Sequence, residues 1–398
     1  MKKSRESRQP LAVSRKTSGE KGRAGKAPVS SRSTKLSASE CAFDGGYRMP
    51  AEWEPHAATW LAWPHEPTDW PGKFEAVPWV FAEVIKNLTA GGGERVRLIV
   101  SGKRQQKEAT AALDKSQVDV RLVDFVELPT DRSWTRDFLP LFVAKPGRAG
   151  KRPLGSVKFR FNGWARYDNH QRDEAAGAKI QARASAAGVA PFQAFVNGGS
   201  ERLVLEGGAI DVDGEGTLLC TEECLLDGRQ ARNRELGKAG VERALRDHLG
   251  AEKVLWLGRG IAGDDTAGHI DDFARFVAPG KIVLAAEKNR KDANYRPLRE
   301  ALERLVGAKD ARGRRVEVIP LPMPEPVVFD EQRLPASYAN FYIGNSVVLV
   351  PTFNDPSDAT ALGIISELFP TRRVVGIYSK DFVLGLGTIH CSTQQEPK

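Results

Sequence analysis

The chain lacks several features that mark specialised classes of protein. It has four cysteines in 398 residues, too few for a disulfide-built miniprotein, and it has no Gly-x-Gly-x-x-Gly or Walker A motif that would favour nucleotide binding. Its longest apolar stretches, such as residues 346–351, are far shorter than the ~20 residues that cross a bilayer. Its hydrophobic content is 41% and its charged content 28%, both ordinary for a globular protein. These features exclude a membrane protein, a collagen-like protein and a largely disordered chain.

The body of the chain also lacks an excess of either charge. The formal net charge is +8, but residues 1–40 hold 11 Lys/Arg and 3 Asp/Glu, which leaves 48 of each kind in residues 41–398. A nucleic-acid-binding domain carries its basic patch on the folded surface. We therefore do not expect nucleic acid as a partner.

Residues 1–40 predict a disordered, basic, Ser-rich tail. They contain nine Ser and no Phe, Trp, Tyr or Ile, so they cannot bury enough apolar surface to offset the entropy of ordering. They have no apolar run of 7–15 residues, as a secretory signal would. Their content of Arg and Ser leaves a transit peptide open beside a solvated tail. Residues 41–398 are expected to form one catalytic α/β domain.

The few cysteines predict a reducing compartment, and we expect the cytoplasm. Cys220 and Cys224 have C-x-x-x-C spacing, but no second Cys/His pair lies near enough to complete a zinc site. We therefore expect structural cysteines there and no metal. Cys391 is different, because it lies in a polar, Gly-containing segment seven residues from the C-terminus. Local sequence alone leaves it open whether this thiol is reactive or structural.

Apolar runs alternate with amphipathic segments along residues 41–398, which predicts an α/β fold with short elements. Predicted strands cover residues 96–101, 118–123, 139–144, 202–205, 216–220, 253–257, 281–286, 316–321, 346–351 and 373–378. Predicted helices cover residues 107–115, 173–187, 232–249, 298–306 and 359–369.

Five polar clusters interrupt this pattern, each beside a predicted strand. Their anchor residues are Asp137, Glu206, His269, Asn340 and Cys391, at intervals of 69, 63, 71 and 51 residues. This near-regular spacing indicates a repeated unit that contributes one loop per repeat to a common centre.

The chemistry of the clusters favours a cationic substrate. A thiol, an imidazole and a carboxylate could form a papain-like protease set. However, several carboxylates around one thiol disfavour the thiolate, unless the substrate is itself a cation. Two carboxylates can bind a guanidinium bidentately while the thiolate attacks its central carbon, and Gly207 and Gly208 would allow the backbone to approach closely.

At these residues the chain resembles the agmatine deiminase family, which is similar to the bacterial peptidylarginine deiminases within the guanidine-modifying superfamily. The resemblance covers residues 48–397. It is carried by the motifs MPAEWEPH (49–56), WTRD (134–137), FNGW (161–164), EGG (206–208), GHID (268–271), SYANFY (337–342) and IHCSTQQ (389–395).

The resemblance implies a five-bladed, pseudo-symmetric α/β propeller of ββαβ units. It also implies hydrolysis of agmatine to N-carbamoylputrescine and ammonia, a step of putrescine biosynthesis, without cofactor or metal. By resemblance, Cys391 is the nucleophile, His269 the general acid and base, and Asp137 and Asp271 the guanidinium clamp. By the same resemblance, Glu206 orients His269. Asn340 and Asp131 are expected to contact the substrate, and Trp134 is expected to pack along its methylenes.

The chain departs from the usual family pattern at three places. Asp211 stands where relatives often have His, Ala267 replaces an Asp, and Leu386 and Thr388 replace parts of a Gly-Gly-Asn run. We therefore keep two alternatives to agmatine hydrolysis, a deiminase of free or peptidyl arginine and a non-catalytic guanidine-binding propeller. Arg160 or Arg166 would be the partner of a substrate carboxylate. Self-association into a homo-oligomer is left open.

Overall fold

Short β-branched and aliphatic runs form the strands of a mixed α/β fold. The structure is a computed structural model that describes residues 41–196 and 199–398. The predicted tail, residues 1–40, lies outside the described residues. The described residues form one compact unit.

The described residues contain strands of two to seven residues. In chain order they are β1 (His56–Ala62), β2 (Val96–Val100), β3 (Val123–Glu127), β4 (Leu141–Ala144), β5 (Leu154–Lys158), β6 (Ala190–Gln193), β7 (Asp211–Val212), β8 (Thr217–Thr221), β9 (Lys253–Leu257), β10 (Ala274–Ala278), β11 (Lys281–Ala286), β12 (Glu317–Pro322), β13 (Val328–Phe329), β14 (Gln332–Arg333), β15 (Tyr342–Ile343), β16 (Val347–Thr352), β17 (Arg373–Tyr378) and β18 (Gln394–Pro397).

The α-helices lie mostly between the second and third strands of a sheet. They are α1 (Val77–Thr89), α2 (Lys103–Lys115), α3 (Thr135–Phe138), α4 (Gln171–Ala186), α5 (Glu222–Leu226), α6 (Lys238–Leu249), α7 (Tyr295–Leu305) and α8 (Asp358–Leu368). None of these helices is long and apolar enough to cross a membrane.

Four of the sheets repeat one pattern. In β4-β5-β6, β7-β8-β9, β10-β11-β12 and β15-β16-β17, the first two strands pair antiparallel and the third joins the second in parallel. Parallel neighbours need a crossover connection, and a helix supplies it in each sheet. The spacing of the polar clusters predicted a repeated unit, and a repeated ββαβ order appears in the pairing of these strands.

The fifth large sheet joins the two ends of the described chain. Its order is β18-β1-β2-β3, and Trp60 in β1 pairs with Gln394 in β18. The indole of Trp60 also donates a hydrogen bond of 2.8 Å to Glu396. This pairing holds the segment that carries Cys391 against the N-terminal part of the fold.

Each predicted polar cluster lies in a link between two of these sheets, just before the first strand of the next one. Asp137 lies between β3 and β4, Glu206 between β6 and β7, and His269 between β9 and β10. Asn340 precedes β15, and Cys391 precedes β18. The links thus occupy equivalent positions in the repeated unit.

Three predicted elements differ from the structure because hydrogen bonds of side chains hold these segments in other conformations. In the segment 118–123, the Asp119 carboxylate caps a short turn, so the strand runs over Val123–Glu127. The predicted strand 202–205 makes only isolated bridges, and the amide of Val204 is bonded to Asn233. The predicted helix 232–249 begins at Lys238, because Arg232 is held by Glu206 and Gly237 precedes the first turn.

Candidate active site

A cavity of about 420 Å³ is lined by Cys391 and His269 together with aromatic and acidic side chains. The aromatic and acidic residues in its wall are Trp134, Trp164, Tyr167, Phe329, Asp69, Asp137, Asp265, Asp272 and Asp330. Apolar walls with a few polar groups are typical of small-molecule sites. The abundance of carboxylates suits a cation with an apolar stem.

Cys391 is held in a polar turn by Asn340. The thiol side chain is almost buried, with 8% of its residue surface exposed. The Asn340 amide nitrogen lies 3.1 Å from the sulfur and 3.1 Å from Asp272 Oδ1. Its amide oxygen accepts a hydrogen bond of 2.7 Å from the Thr388 hydroxyl. Asn340 therefore contacts both Thr388 and the Cys391 sulfur, which lie three residues apart in the same loop.

The surroundings of Cys391 keep its thiol protonated in the free protein. Burial raises the pKa of the thiol well above its usual value, and Asp271, Asp272 and Asp137 raise it further. The sulfur lies 3.7 Å from Asp271 Oδ2. A cation bound among these carboxylates would offset their charge and favour the thiolate.

His269 is buried among three carboxylates. Its Nδ1 lies 4.0 Å from Asp137 Oδ1 and 3.9 Å from Asp271 Oδ1, and its Nε2 lies 3.9 Å from Glu206 Oε2. Burial alone would lower the pKa of His269, but Asp137, Cys224 and Glu206 raise it well above its usual value. The ring is therefore charged at neutral pH and able to donate a proton.

Asp137 faces the cavity with both oxygens already oriented. The Gly208 amide donates to Oδ1 at 3.0 Å, and the Trp164 indole donates to Oδ2 at 2.9 Å. A Cβ atom at Gly208 would lie 2.5 Å from His269 Nδ1, so the close approach expected of this glycine is present. Burial raises the pKa of Asp137 to about 6, although the charge of His269 opposes this shift.

Asp271 is a fully buried carboxylate beside the thiol. Its Oδ2 accepts a hydrogen bond of 2.6 Å from the ring of His390. No hydrogen bond from a described residue reaches its Oδ1, which faces His269. Burial would raise the pKa of Asp271, but the hydrogen bond and charge of His390 outweigh it and lower the pKa.

Glu206 is ionised and fixed by Arg232. The Arg232 Nε lies 2.9 Å and 3.1 Å from the two carboxylate oxygens, and both side chains are fully buried. Burial would raise the pKa of Glu206, but Arg232 and His269 lower it to about 2. Glu206 therefore supplies a permanent negative charge beside His269.

Trp134 forms an apolar wall beside the sulfur. Its ring stacks on Phe382 at 5.8 Å and packs against Trp70 at 5.5 Å between centroids. A Cβ atom at Gly387 would lie 3.1 Å from the Trp134 ring and 3.2 Å from the Cys391 sulfur. The glycine therefore leaves room between the indole and the thiol.

Two groups of side chains bring three potential metal donors within 4.8 Å of one another, Glu206–Cys224–His269 and Asp271–Asp272–Cys391. In the first group, both oxygens of Glu206 are already bonded to Arg232. The second group lies where the carboxylates would meet a cationic substrate. We assign neither group as a metal site.

Comparison with known proteins agrees with this geometry. The sequence profile described as Porphyromonas-type peptidyl-arginine deiminase matches residues 48–397. This chain is a member of that family. It is 37% identical over 375 residues to the agmatine deiminase of Ectopseudomonas mendocina (strain ymp), covering 88% of this chain and 96% of that protein. The resemblance to agmatine deiminases found in the sequence is thereby confirmed.

Solved structures of agmatine deiminases share the fold. The structure described as agmatine deiminase of Enterococcus faecalis catalysing its reaction has a TM-score of 0.81 at 32% identity, covering 90% of this chain and 98% of that chain. A substituted agmatine deiminase of C. jejuni with substrate bound has a TM-score of 0.76 at 27% identity, covering 88% and 96%. The mixed α/β class predicted from the sequence is confirmed.

The structure brings most of the predicted site residues together but places Asp131 elsewhere. Of the predicted residues, the cavity is lined by Cys391, His269, Asp137 and Trp134. Behind the lining, Asp271 and Glu206 each lie 3.9 Å from His269, and Asn340 lies 3.1 Å from the Cys391 sulfur.

Asp131 is neither in the lining nor in such a contact with it. Its carboxylate accepts hydrogen bonds from the backbone amides of Arg172, at 2.7 Å, and Asp173, at 3.3 Å, at the start of α4. Free amides at a helix N-terminus attract a carboxylate. Asp131 therefore caps a helix, and we do not carry it into the proposed substrate site.

Some residues of the site were missed in the sequence. Asp272, in the cavity wall, directly follows the predicted Asp271, so the pair of acids was the available signal. Burial raises the pKa of Asp272 well above its usual value. Trp164 belongs to the quoted FNGW motif, but nothing in that motif indicates its hydrogen bond to Asp137. Nothing in the sequence around Arg232 indicated that it pairs with Glu206.

The departures from the family pattern do not displace the proposed reacting groups. Leu386 and Ala267 adopt left-handed backbone conformations with φ of +64° and +65°, a region that strongly favours glycine. Thr388, in place of Asn, still donates to Asn340. Asp211, in place of His, lies 3.4 Å from Arg275.

Proposed function

We propose that this protein is an agmatine deiminase, a hydrolase of linear amidines that converts agmatine to N-carbamoylputrescine and ammonia. The observation that carries the proposal is the meeting of Cys391, His269 and Asp137 at one acidic cavity, with Asp271 directly behind the thiol and the imidazole, in a chain related to agmatine deiminases. In this proposal the product feeds putrescine formation.

The charges of the cavity favour agmatine over arginine. Of the described residues that line it, the basic ones are His269 and Arg132, and Arg132 is already paired with Asp69. Arg160 and Arg166, considered above as partners of a substrate carboxylate, are not in the lining. An acidic cavity suits a dication, and it would repel the carboxylate of free arginine.

The proposed first half-reaction forms a bond between the sulfur and the guanidine carbon. Asp137 and Asp271 hold the planar guanidinium, and its positive charge favours the Cys391 thiolate, whose proton passes to solvent. The thiolate attacks the central carbon. His269, charged at the outset, then donates its proton to the leaving nitrogen, which departs as ammonia. A covalent thiouronium remains on the enzyme.

The second half-reaction hydrolyses that intermediate. His269, now neutral, accepts a proton from water, and the hydroxide attacks the thiouronium carbon. The carbon–sulfur bond breaks, the thiolate leaves, and the protonated urea loses its hydroxyl proton to solvent as the neutral urea is released. Glu206 keeps its negative charge beside the ring in both steps and stabilises the imidazolium. We propose no metal or organic cofactor, since the fixed charges of the site supply the polarisation.

We further propose that the five large sheets surround the site as five blades of a pseudo-symmetric propeller and that residues 41–398 form one catalytic domain. The proposal is supported by the repeated strand order of four sheets, and by five links that each bring one polar residue to the site. Cytoplasmic location, self-association and the absence of a nucleic-acid partner stay predictions from the sequence.

A screen of ammonia release over agmatine, arginine and C-terminal arginyl peptides tests the function. We expect turnover of agmatine, weak or absent turnover of the other two, and loss of turnover in C391S. The C41S variant is the matched control, because Cys41 lies outside the cavity lining, and it should retain full activity. Absence of ammonia from every guanidine, or full turnover by C391S, would contradict the proposal.

A further inference from the structure

His390, the residue before Cys391, lies between two carboxylates on the buried side of the site. Its Nδ1 is 2.6 Å from Asp271 Oδ2, and its Nε2 is 2.8 Å from Glu52 Oε2. The residue is 1% exposed. No step of the proposed reaction uses this ring, although it contacts one half of the guanidinium clamp.

The hydrogen bonds require a proton on each nitrogen of the His390 ring. Ionised carboxylates only accept hydrogen bonds. Burial would raise the pKa of Glu52, but Arg275, His390 and Arg136 hold it well below its usual value. The pKa of Asp271 is also lowered, against the effect of its burial. An ionised carboxylate on each side can only accept, so the two short contacts are satisfied together when each ring nitrogen donates.

Apart from His390, the groups behind the clamp include one more carboxylate than guanidinium. Arg136 and Arg275 lie 3.1 Å and 3.0 Å from the two oxygens of Glu52. Asp211 lies 3.4 Å from Arg275, and burial raises the pKa of Asp211. The ionisable groups around the His390 ring are Asp271, Glu52, Asp211, Arg136 and Arg275. On the far side of Asp271, the ionisable groups are His269, Asp137, Asp272 and Cys391. Three carboxylates thus face two guanidiniums and the ring.

We propose that His390 is a cationic positioning residue, which fixes one oxygen of Asp271 so that the other oxygen remains for the substrate guanidinium. The free oxygen is Asp271 Oδ1, 3.9 Å from His269 Nδ1. The inference rests on the proposed deiminase function, and it adds a group that holds the clamp without touching substrate. Glu52 anchors the ring from the opposite side, and a buried charge is tolerated when it is paired in this way.

The H390Q variant tests the role through the pH profile of kcat/KM with agmatine. Without the imidazolium, burial and the neighbouring acids dominate at Asp271, as they do at Asp272. We expect the acid limb to move to higher pH by about one unit or more, because an opposite charge at this distance shifts a pKa by ~1–3 units. KM at pH 7 should rise more than kcat falls. An acid limb in the wild-type position would overturn the proposal.

His56 provides a matched control on the same buried network. Its ring lies 2.8 Å from Glu94 and 2.7 Å from the backbone oxygen of Glu52, and it does not contact Asp271. The H56Q variant should lose stability, as any broken buried pair does, while its acid limb stays in place. A merely structural role for His390 predicts the same behaviour for H390Q, so equal acid limbs in both variants would also overturn the proposal.

Nitrogen NMR of the unliganded protein tests the charge of His390 without turnover. The six histidines can be labelled with nitrogen-15 and the His390 ring assigned through bonds. We expect both ring nitrogens to carry hydrogen from pH 6 to pH 8. A bare ring nitrogen at pH 7 would overturn the proposal, even if H390Q does not fold. If no guanidine is turned over, the proposed function fails while this spectrum still reports on His390.

Discussion

Replacing Asp137 by Asn should change how the stability of the protein depends on pH. Burial raises the pKa of this carboxyl from 3.8 to about 6 in the folded protein, whereas the unfolded chain keeps a value near ~3.9. Between these values the folded protein binds a proton that the unfolded chain does not. The stabilisation is therefore complete below about pH 4 and is lost as the pH rises through about 6.

The size of the effect follows from the difference between the two pKa values. About two units correspond to about 3 kcal/mol, at ~1.36 kcal/mol per unit. D137N lacks the titration, so its free energy of unfolding relative to wild type should rise by about 3 kcal/mol between pH 4 and pH 7. The amide has one oxygen for the two donors Gly208 and Trp164. That cost is the same throughout the range and does not alter the slope.

Urea unfolding of both proteins at pH 4, 5, 6 and 7 measures the difference, followed by tryptophan fluorescence. The control is D114N, which removes an exposed carboxylate of α2 and should run parallel to wild type. A constant difference between D137N and wild type would refute the assignment of a raised pKa to the buried Asp137 carboxyl. In assays with agmatine, D137N should lose about 30- to 5,000-fold in kcat/KM, since truncating one partner of a buried charged pair costs ~2–5 kcal/mol.

Three further predictions concern the same site. G208A should lose about 100-fold or more in kcat/KM, because its Cβ would lie 2.5 Å from His269 Nδ1 and a misplaced catalytic group costs ~10²-fold. A haloacetamidine should alkylate Cys391 much faster than iodoacetamide does, relative to their rates with a small free thiol, because only the cation offsets the carboxylates that raise the pKa of the thiol. R232M should lose about 3–5 kcal/mol of stability, since it leaves Glu206 buried and unpaired, as urea unfolding would show.

Each of these predictions has a control and a contradicting result. G228A is the match for G208A, because an added Cβ there would meet no atom within 4 Å, and equal activities would count against the close approach. Equal relative rates for the two alkylating agents would count against cation-dependent activation. R312M breaks an exposed pair with Glu252 and should cost less than ~1 kcal/mol; a similar cost for R232M would contradict the buried ion pair.

The sequence was informative about strands wherever the apolar run alone decided the structure. The strands predicted over residues 253–257, 281–286 and 373–378 agree with β9, β11 and β17 residue for residue. Other strands were missed because they are only two residues long or because their residues are polar. β18 (Gln394–Pro397) has no apolar run at all, and it exists because it pairs with β1, more than 330 residues away.

The candidate site could be predicted only as far as its chemistry is local. Cys391 and His269 stand in short motifs, so their meeting could be expected from the spacing of the polar clusters. The partner of His390 could not, because Glu52 lies 338 residues earlier in the chain. Asp131 is a different case. The resemblance implied a substrate contact for it, whereas its carboxylate accepts hydrogen bonds from backbone amides at the start of α4, which local sequence did not indicate.

The central claim is that the Cys391 sulfur attacks a guanidine carbon held by Asp137 and Asp271. Agmatine carrying carbon-14 in its guanidine group, mixed with the enzyme and quenched in acid within the first turnover, tests it directly. After trypsin digestion, the label should be found on the peptide 381–398, which contains Cys391, and C391S should carry none. Sustained ammonia release with no label on that peptide would contradict the account.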